Sequence, residues 1–146
     1  MNEISICASK GHKTTANILK RKAFTVSMAE AGQVVACDYV GIVSGNKVAD
    51  KFARAGFHAT RSEFVDAPLI DELSVAMECR LKDYNPETSI MRGEIVNVRV
   101  DERVLGENGK VDASKVVPII FDPFNNDYLK VGEKVGNAFS DGKILK

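Results

Sequence analysis

The sequence predicts a mainly β single domain with short peripheral helices, arranged as a barrel. Three observations carry that expectation. Val75, Met77, Cys79 and Leu81 alternate with Ala76, Glu78, Arg80 and Lys82, which is the period of a strand with one face buried and one face wet. A companion run from Gly93 to Val100 places Val96, Val98 and Val100 on one face and Asn97 and Arg99 on the other. The helical stretches are short, and turn residues punctuate the chain throughout.

Taken in order, Ile4, Ile6 and Ala8 alternate with Ser5, Cys7 and Ser9 and predict a strand close to the first residue. Lys10, Gly11 and His12 form a turn, and Thr14 to Arg21 reads as a short helix with a threonine near its cap. Phe24, Val26 and Met28 predict a second strand, and Val34 to Tyr39 a brief helical turn. The two long strands are joined by the polar connection Asp83 to Ser89, where Asn85-Pro86 marks a turn, so they form an antiparallel pair. Glu107 to Lys110 is a further turn and Asp112 to Lys115 a helical one. In the apolar run Val116 to Phe121, Pro118 demands a strand edge or a bulge. Glycines 132 and 136 break any helix between Tyr128 and Phe139.

At 146 residues and 45% hydrophobic, the chain is large enough for one domain that buries about two thirds of its unfolded surface. Twenty basic and twenty acidic residues cancel, so no nucleic-acid or anionic-membrane partner is expected. No apolar run approaches the ~20 residues of a membrane span and no signal peptide opens the sequence, which makes the cytoplasm the expected location. Cys7, Cys37 and Cys79 are widely spaced and odd in number, arguing against a disulfide framework and a zinc site, and two histidines argue against a multi-histidine metal centre.

One stretch carries chemistry. From Gly41 to Phe52 the chain reads as an anion-binding helix start: Ser44 caps, Gly45 lets backbone approach a ligand, and Lys47 and Lys51 lie one turn apart. Val48, Phe52 and Ala55 would face the core and Gly56 would end the helix. The same residues also read as an ordinary capped surface helix with two solvated lysines. Other candidates have plain readings: Cys79 as a packed core thiol, Cys7 as a small filler, His12 as a phosphate contact or a solvated turn residue, His58 as surface. Glu63, Asp66, Asp71 and Glu72 read as a solvated acidic face, and Asp50 as a helix residue paired with a neighbouring lysine. No catalytic triad follows from spacing.

Eight segments in order, Thr14 to Ile18, Asp38 to Gly41, Ser44-Gly45 to Asp50-Lys51-Phe52, Ala67-Pro68, Glu78-Cys79, Gly93-Glu94-Ile95, Pro118 and Gly132 to Gly136, resemble the flavin reductase-like, flavoredoxin-containing family. The resemblance runs from about residue 4 to residue 142. It implies an antiparallel FMN-binding split β-barrel of six strands, a homodimer, and FMN held near the subunit interface. It assigns FMN contacts to Ser9, Lys10, Thr14, Asn17, Ser44, Gly45 and Lys51, and names no catalytic side chain, because the flavin carries the chemistry. NAD(P)H is a possible electron donor, and no GxGxxG segment assists it. Members of the family begin with a further strand-turn-strand segment that lines the flavin ring, whereas Met1 here stands just before the first strand, so the barrel is expected to be N-terminally incomplete. The implied function is electron transfer between NAD(P)H or a redox partner and flavin or an acceptor; the alternatives are a non-enzymatic electron carrier and an incomplete barrel acting as an interaction module.

Overall fold

The computed structural model describes residues 2–146, so the expected place of Met1 lies outside the described residues. Four strands form one antiparallel sheet in the order β1 (Glu3–Cys7), β6 (Ile90–Val100), β5 (Val75–Asn85), β2 (Ala23–Ser27). β5 and β6 are the expected pair, and Asn85 closes their turn by accepting from the amides of Glu87 at 2.9 Å and Thr88 at 3.2 Å. Two small hairpins flank the sheet: β3 (Ala59–Arg61) with β4 (Pro68–Ile70), and β7 (Ile119–Asp122) with β8 (Asp127–Lys130). The hydroxyl of Thr25 on β2 donates to the Pro68 carbonyl at 2.6 Å and holds the first hairpin against the sheet. The sheet does not close into a complete barrel among the described residues.

The helices are α1 (Lys13–Arg21), α2 (Val34–Ile42), α3 (Lys51–Arg54) and α4 (Ala113–Val116). On one face of the sheet, Ile18 of α1 packs with Phe24, Cys79 and Met91, bordered by Ile4, Ile6, Met77, Leu81 and Ile95. Ala23 points to the opposite face, next to Phe24 in a strand, and packs there with Val65, Ala67 and Val96. Both faces are thus covered near the middle of the sheet.

Three expectations need correction. Glu78 is buried, at 1% exposure, because a bulge between Glu78 and Cys79 shifts the register and the 62–67 segment covers the face expected to be wet. Val34 to Tyr39 is the start of a nine-residue helix rather than a brief turn. The helix expected from Ser44 to Gly56 is broken: residues 44–48 form a turn, and only Lys51–Arg54 are helical, ending at Gly56 with φ +76. The strands β3 and β4 carried too short a pattern to be read. Pro118 stands immediately before β7 and forms an isolated bridge with Glu30, as a strand edge requires.

Candidate functional site

The turn after β1 sets up the start of α1. The Ser9 carbonyl accepts from the Thr15 hydroxyl at 2.7 Å and from the His12 amide at 3.1 Å, fixing where the helix begins. His12 occupies the N-cap with an extended backbone and offers no side-chain cap, and the first turn holds no acidic residue. The positive end of the α1 dipole therefore meets no acceptor from its own cap or first turn.

The second wall comes from the segment after α2. The Ser44 carbonyl accepts from the amides of Lys47 and Val48, both at 3.0 Å, and its hydroxyl accepts from the Asn46 amide at 3.3 Å. Asn46 then reaches across to donate to the Gly11 carbonyl at 2.9 Å, tying the two walls together. Lys51 folds back and donates to the carbonyls of Val40 at 2.7 Å and Val43 at 2.8 Å, capping the last turn of α2. A Cβ at Gly45 would stand 3.5 Å from Lys13 and 3.6 Å from Lys51, so the glycine lies between two lysine side chains. Between these walls lies a cleft of about 540 Å³, lined by Lys13, Thr14, Asn17, Ser44, Gly45, Lys51 and neighbouring backbone, with no Asp or Glu among its lining residues.

A family model, the flavin reductase like domain, matches residues 3–121 of the sequence. The chain belongs to the flavin reductase-like family. Its structure is similar to that of a flavoredoxin from Desulfovibrio vulgaris (Miyazaki F), at TM-score 0.90 and 39% identity, over 96% of this chain and 75% of that one. A flavoredoxin from Methanosarcina acetivorans is similar at TM-score 0.86 and 30% identity, over 99% of this chain and 75% of that one. An FMN-binding domain of a flavin reductases-like enzyme from Shewanella baltica OS155, at TM-score 0.81 and 17% identity over 92% of this chain and 73% of that one, shares the fold. An uncharacterized protein of Aquifex aeolicus (strain VF5) is 32% identical over 108 residues, which are 73% of this chain and 55% of that relative's length. The fold is accordingly the antiparallel split barrel of this family, with short helices at its periphery.

Of the residues that the family resemblance singles out, Thr14, Asn17, Ser44, Gly45 and Lys51 line one cleft although they come from two segments about thirty positions apart. Ser9 and Lys10 lie outside that lining, in the exposed turn that leads to it. Lys51 faces the cleft while its ammonium is held by α2 carbonyls, a double engagement that no sequence spacing reveals. Two residues were missed. Lys13 lines the cleft beside Gly45, and its position at the first residue of α1 was the available signal; Asn46 bridges the walls, and no local pattern marks it.

The remaining candidates of this flavin reductase-like chain have structural partners. Cys79 is fully buried, and burial pushes its thiol up; Cys37 is raised for the same reason. His58 is exposed, with Nδ1 2.6 Å from Glu72, which also accepts the His58 amide. Glu63, Asp66 and Asp71 are exposed, as a solvated acidic face requires, and two of them also carry surface ion pairs: Asp66 pairs with Arg21 at 2.8 Å, and Asp71 lies 3.9 Å from Arg99. Asp50 pairs with Arg54, 2.9 Å away, rather than with a lysine. Among the described residues no group of His, Cys, Asp and Glu is gathered as metal ligands would be, and no helix is long and apolar enough to cross a membrane.

Proposed function

We propose that the chain is a flavin-binding redox protein of the flavoredoxin type that holds FMN by its phosphate in the cleft between α1 and the 44–51 segment. The observation that carries this reading is the cleft itself, where an uncapped helix start, two lysines, two hydroxyls and an amide converge without an acidic neighbour. Such a donor set suits a dianionic phosphate better than any neutral ligand. The hydroxyls of Thr14 and Ser44 and the amide of Asn17 would donate to phosphate oxygens, and Lys13 and Lys51 would supply charge. Gly45 leaves room for close backbone approach. Ser9 acts through its carbonyl, which anchors Thr15, and Lys10 adds charge at the rim. The flavin supplies the electron-transfer chemistry; the chain binds, orients and shields it.

The proposed activity is passage of electrons between NAD(P)H or a redox partner and flavin or an acceptor, in a homodimer. The likeness to two flavoredoxins at 30% identity or above favours a carrier that exchanges electrons with protein partners. Titrating FMN and riboflavin against the purified chain tests the site, because only FMN presents the phosphate. Replacing Lys13 by Ala is expected to weaken FMN about 10-fold, the size of one lost charge-assisted contact, and to leave riboflavin unchanged. Equal weakening of both would remove the phosphate assignment. Sustained NADH or NADPH consumption with excess free flavin would mark a reductase, and a single reduction without turnover a carrier.

A further inference from the structure

Lys13, Asn17 and Arg21 stand at positions i, i+4 and i+8 of α1, so they form one row along the helix. The row begins in the cleft described above and continues past it. Asn17 lines that cleft and also a second hollow of about 450 Å³, where Arg21 at the C-terminal end of α1 meets Thr60 and Arg61 of β3 and Asp66 of the loop between β3 and β4. Ala59, Ala67 and Pro68 complete its lining as a small apolar floor. Asp66 accepts from Arg21 at 2.8 Å and lies 3.6 Å from Arg61, and the Arg21 hydrogen bond holds its carboxyl below the ordinary range. Two guanidinium groups against one carboxylate leave the hollow with a positive charge in excess. The wall that carries Asp66 is fixed: Val65 and Ala67 are buried with Ala23 and Val96, and the Ser62 amide donates to the Ala67 carbonyl at 3.0 Å. The arginine side chains are open, at 61% and 81% exposure, and each guanidinium has five N–H donors of which Asp66 engages few. Exposed ion pairs of this kind contribute little to stability, so the arginines are free to turn to an arriving anion.

We propose that this hollow binds a phosphate of a second nucleotide, held by Arg21 and Arg61 beside the flavin nucleotide. The inference rests on the reading of the first cleft as the FMN phosphate grip, and it names the residues that hold the nucleotide electron donor next to that flavin. Eight residues of helix separate Lys13 from Arg21, ~12 Å at 1.5 Å per residue, whereas the two phosphates of one diphosphate share an oxygen. One diphosphate therefore does not serve both ends of the row, and the second anion belongs to another molecule. A guanidinium fork meets phosphate oxygens two at a time, which suits Arg21 and Arg61 to this anion better than lysines at the same places. The hollow has the volume of a small-molecule site rather than of a lone inorganic ion. Its apolar floor and the Thr60 hydroxyl offer a surface for a base and a partner for a sugar.

Calorimetric titration of the full chain with ADP, 2′-AMP and adenosine decides the matter, ADP and 2′-AMP standing for the two places at which a nicotinamide dinucleotide carries phosphate. One of the two is expected to bind about 10-fold more tightly than adenosine, and the tighter one identifies which phosphate the arginines take. Arg21→Gln and Arg61→Gln are each expected to weaken that probe about 10-fold and to leave FMN unchanged, while Lys13→Ala weakens FMN and leaves the probe unchanged. Asp66→Asn removes the competing carboxylate and keeps its shape, so it is expected to tighten the probe about 3-fold, a gain that a misfolded variant does not show. Neither probe binding better than adenosine, or an affinity indifferent to both arginines, overturns the site. Displacement of the probe by FMN, or an Arg21→Gln variant that weakens FMN and riboflavin alike, also overturns it, by giving the hollow to the flavin ring. A chain that takes the probe through its arginines but ignores FMN keeps the anion site and removes the reading of the first cleft instead.

Discussion

Gly93 shows how a single residue can be fixed by its surroundings. A Cβ there would lie 2.5 Å from the Phe24 ring, closer than real contacts allow, and a tight 3.2 Å from the Arg80 carbonyl. Phe24 is itself in the core at 4% exposure and has little room to retreat. Gly93→Ala is expected to lower stability by about 1–3 kcal/mol through overpacking, read as a lower urea midpoint with an unchanged slope. The sequence offers Gly93 as a marker but not its cause, because the cross-strand ring is visible only once β2, β5 and β6 are assembled. Glu78 was misread for a related reason. Its carboxylate accepts from Asn97 at 2.7 Å and from Ser62, whose hydroxyl in turn accepts from the amides of Phe64 and Val65 at 3.0 Å. Alternation placed it in water, whereas a bulge and a distant loop placed it inside.

At the scale of elements, local chemistry was legible where one residue settles a boundary and obscure where two elements share it. Gly56 ends α3 and Asn85 turns β5 into β6 as their types demand. The break of the helix expected after Ser44 follows from bonds to other elements, Asn46 to the turn before α1 and Lys51 to α2. Asp101, at the end of β6, caps the 3-10 turn Glu102–Val104 by accepting from the Arg103 amide at 2.9 Å. The Arg103 guanidinium hydrogen-bonds the same carboxylate, which with that amide lowers its pKa from 3.8 to about 2. A carboxyl depressed in the folded state stabilises the fold fully above the unfolded value and loses that contribution as pH falls through the folded one. Asp101→Asn is therefore expected to be less stable than wild type at neutral pH, with the gap closing between pH 3.8 and about 2; urea titrations at stepped pH would show it. A gap that persists unchanged to pH 2 would assign the effect to shape alone.

For the molecule as a whole, the antiparallel pairing of β5 and β6 was the most legible feature, because eleven-residue strands repeat their pattern often enough to be read. The β3–β4 hairpin was not legible, since three residues hold no period, and of the second hairpin only β7 showed, as the apolar run after Pro118. The two clusters, one around Met91 and one around Val65, lie on opposite faces of one sheet and share its strands, with Phe24 in the first and Ala23 in the second. They are expected to melt together. Tyrosine fluorescence and far-UV ellipticity should give coincident urea transitions, and separated midpoints would show that the faces unfold independently. Ser44, Gly45 and Lys51 were legible from their own chemistry, but Thr14 and Asn17 joined them only through family markers, because segment order does not state that α1 and the 44–51 turn are neighbours.

The bond from Asn46 to the Gly11 carbonyl has a consequence for time as well as for place. It joins the two lips of the cleft through the chain's own groups, so the opening has a set gauge. A molecule entering such a gap meets surfaces already at their working separation. A ligand of the kind proposed is then expected to be captured in one encounter, at a rate proportional to its concentration, with no slow tightening step to follow.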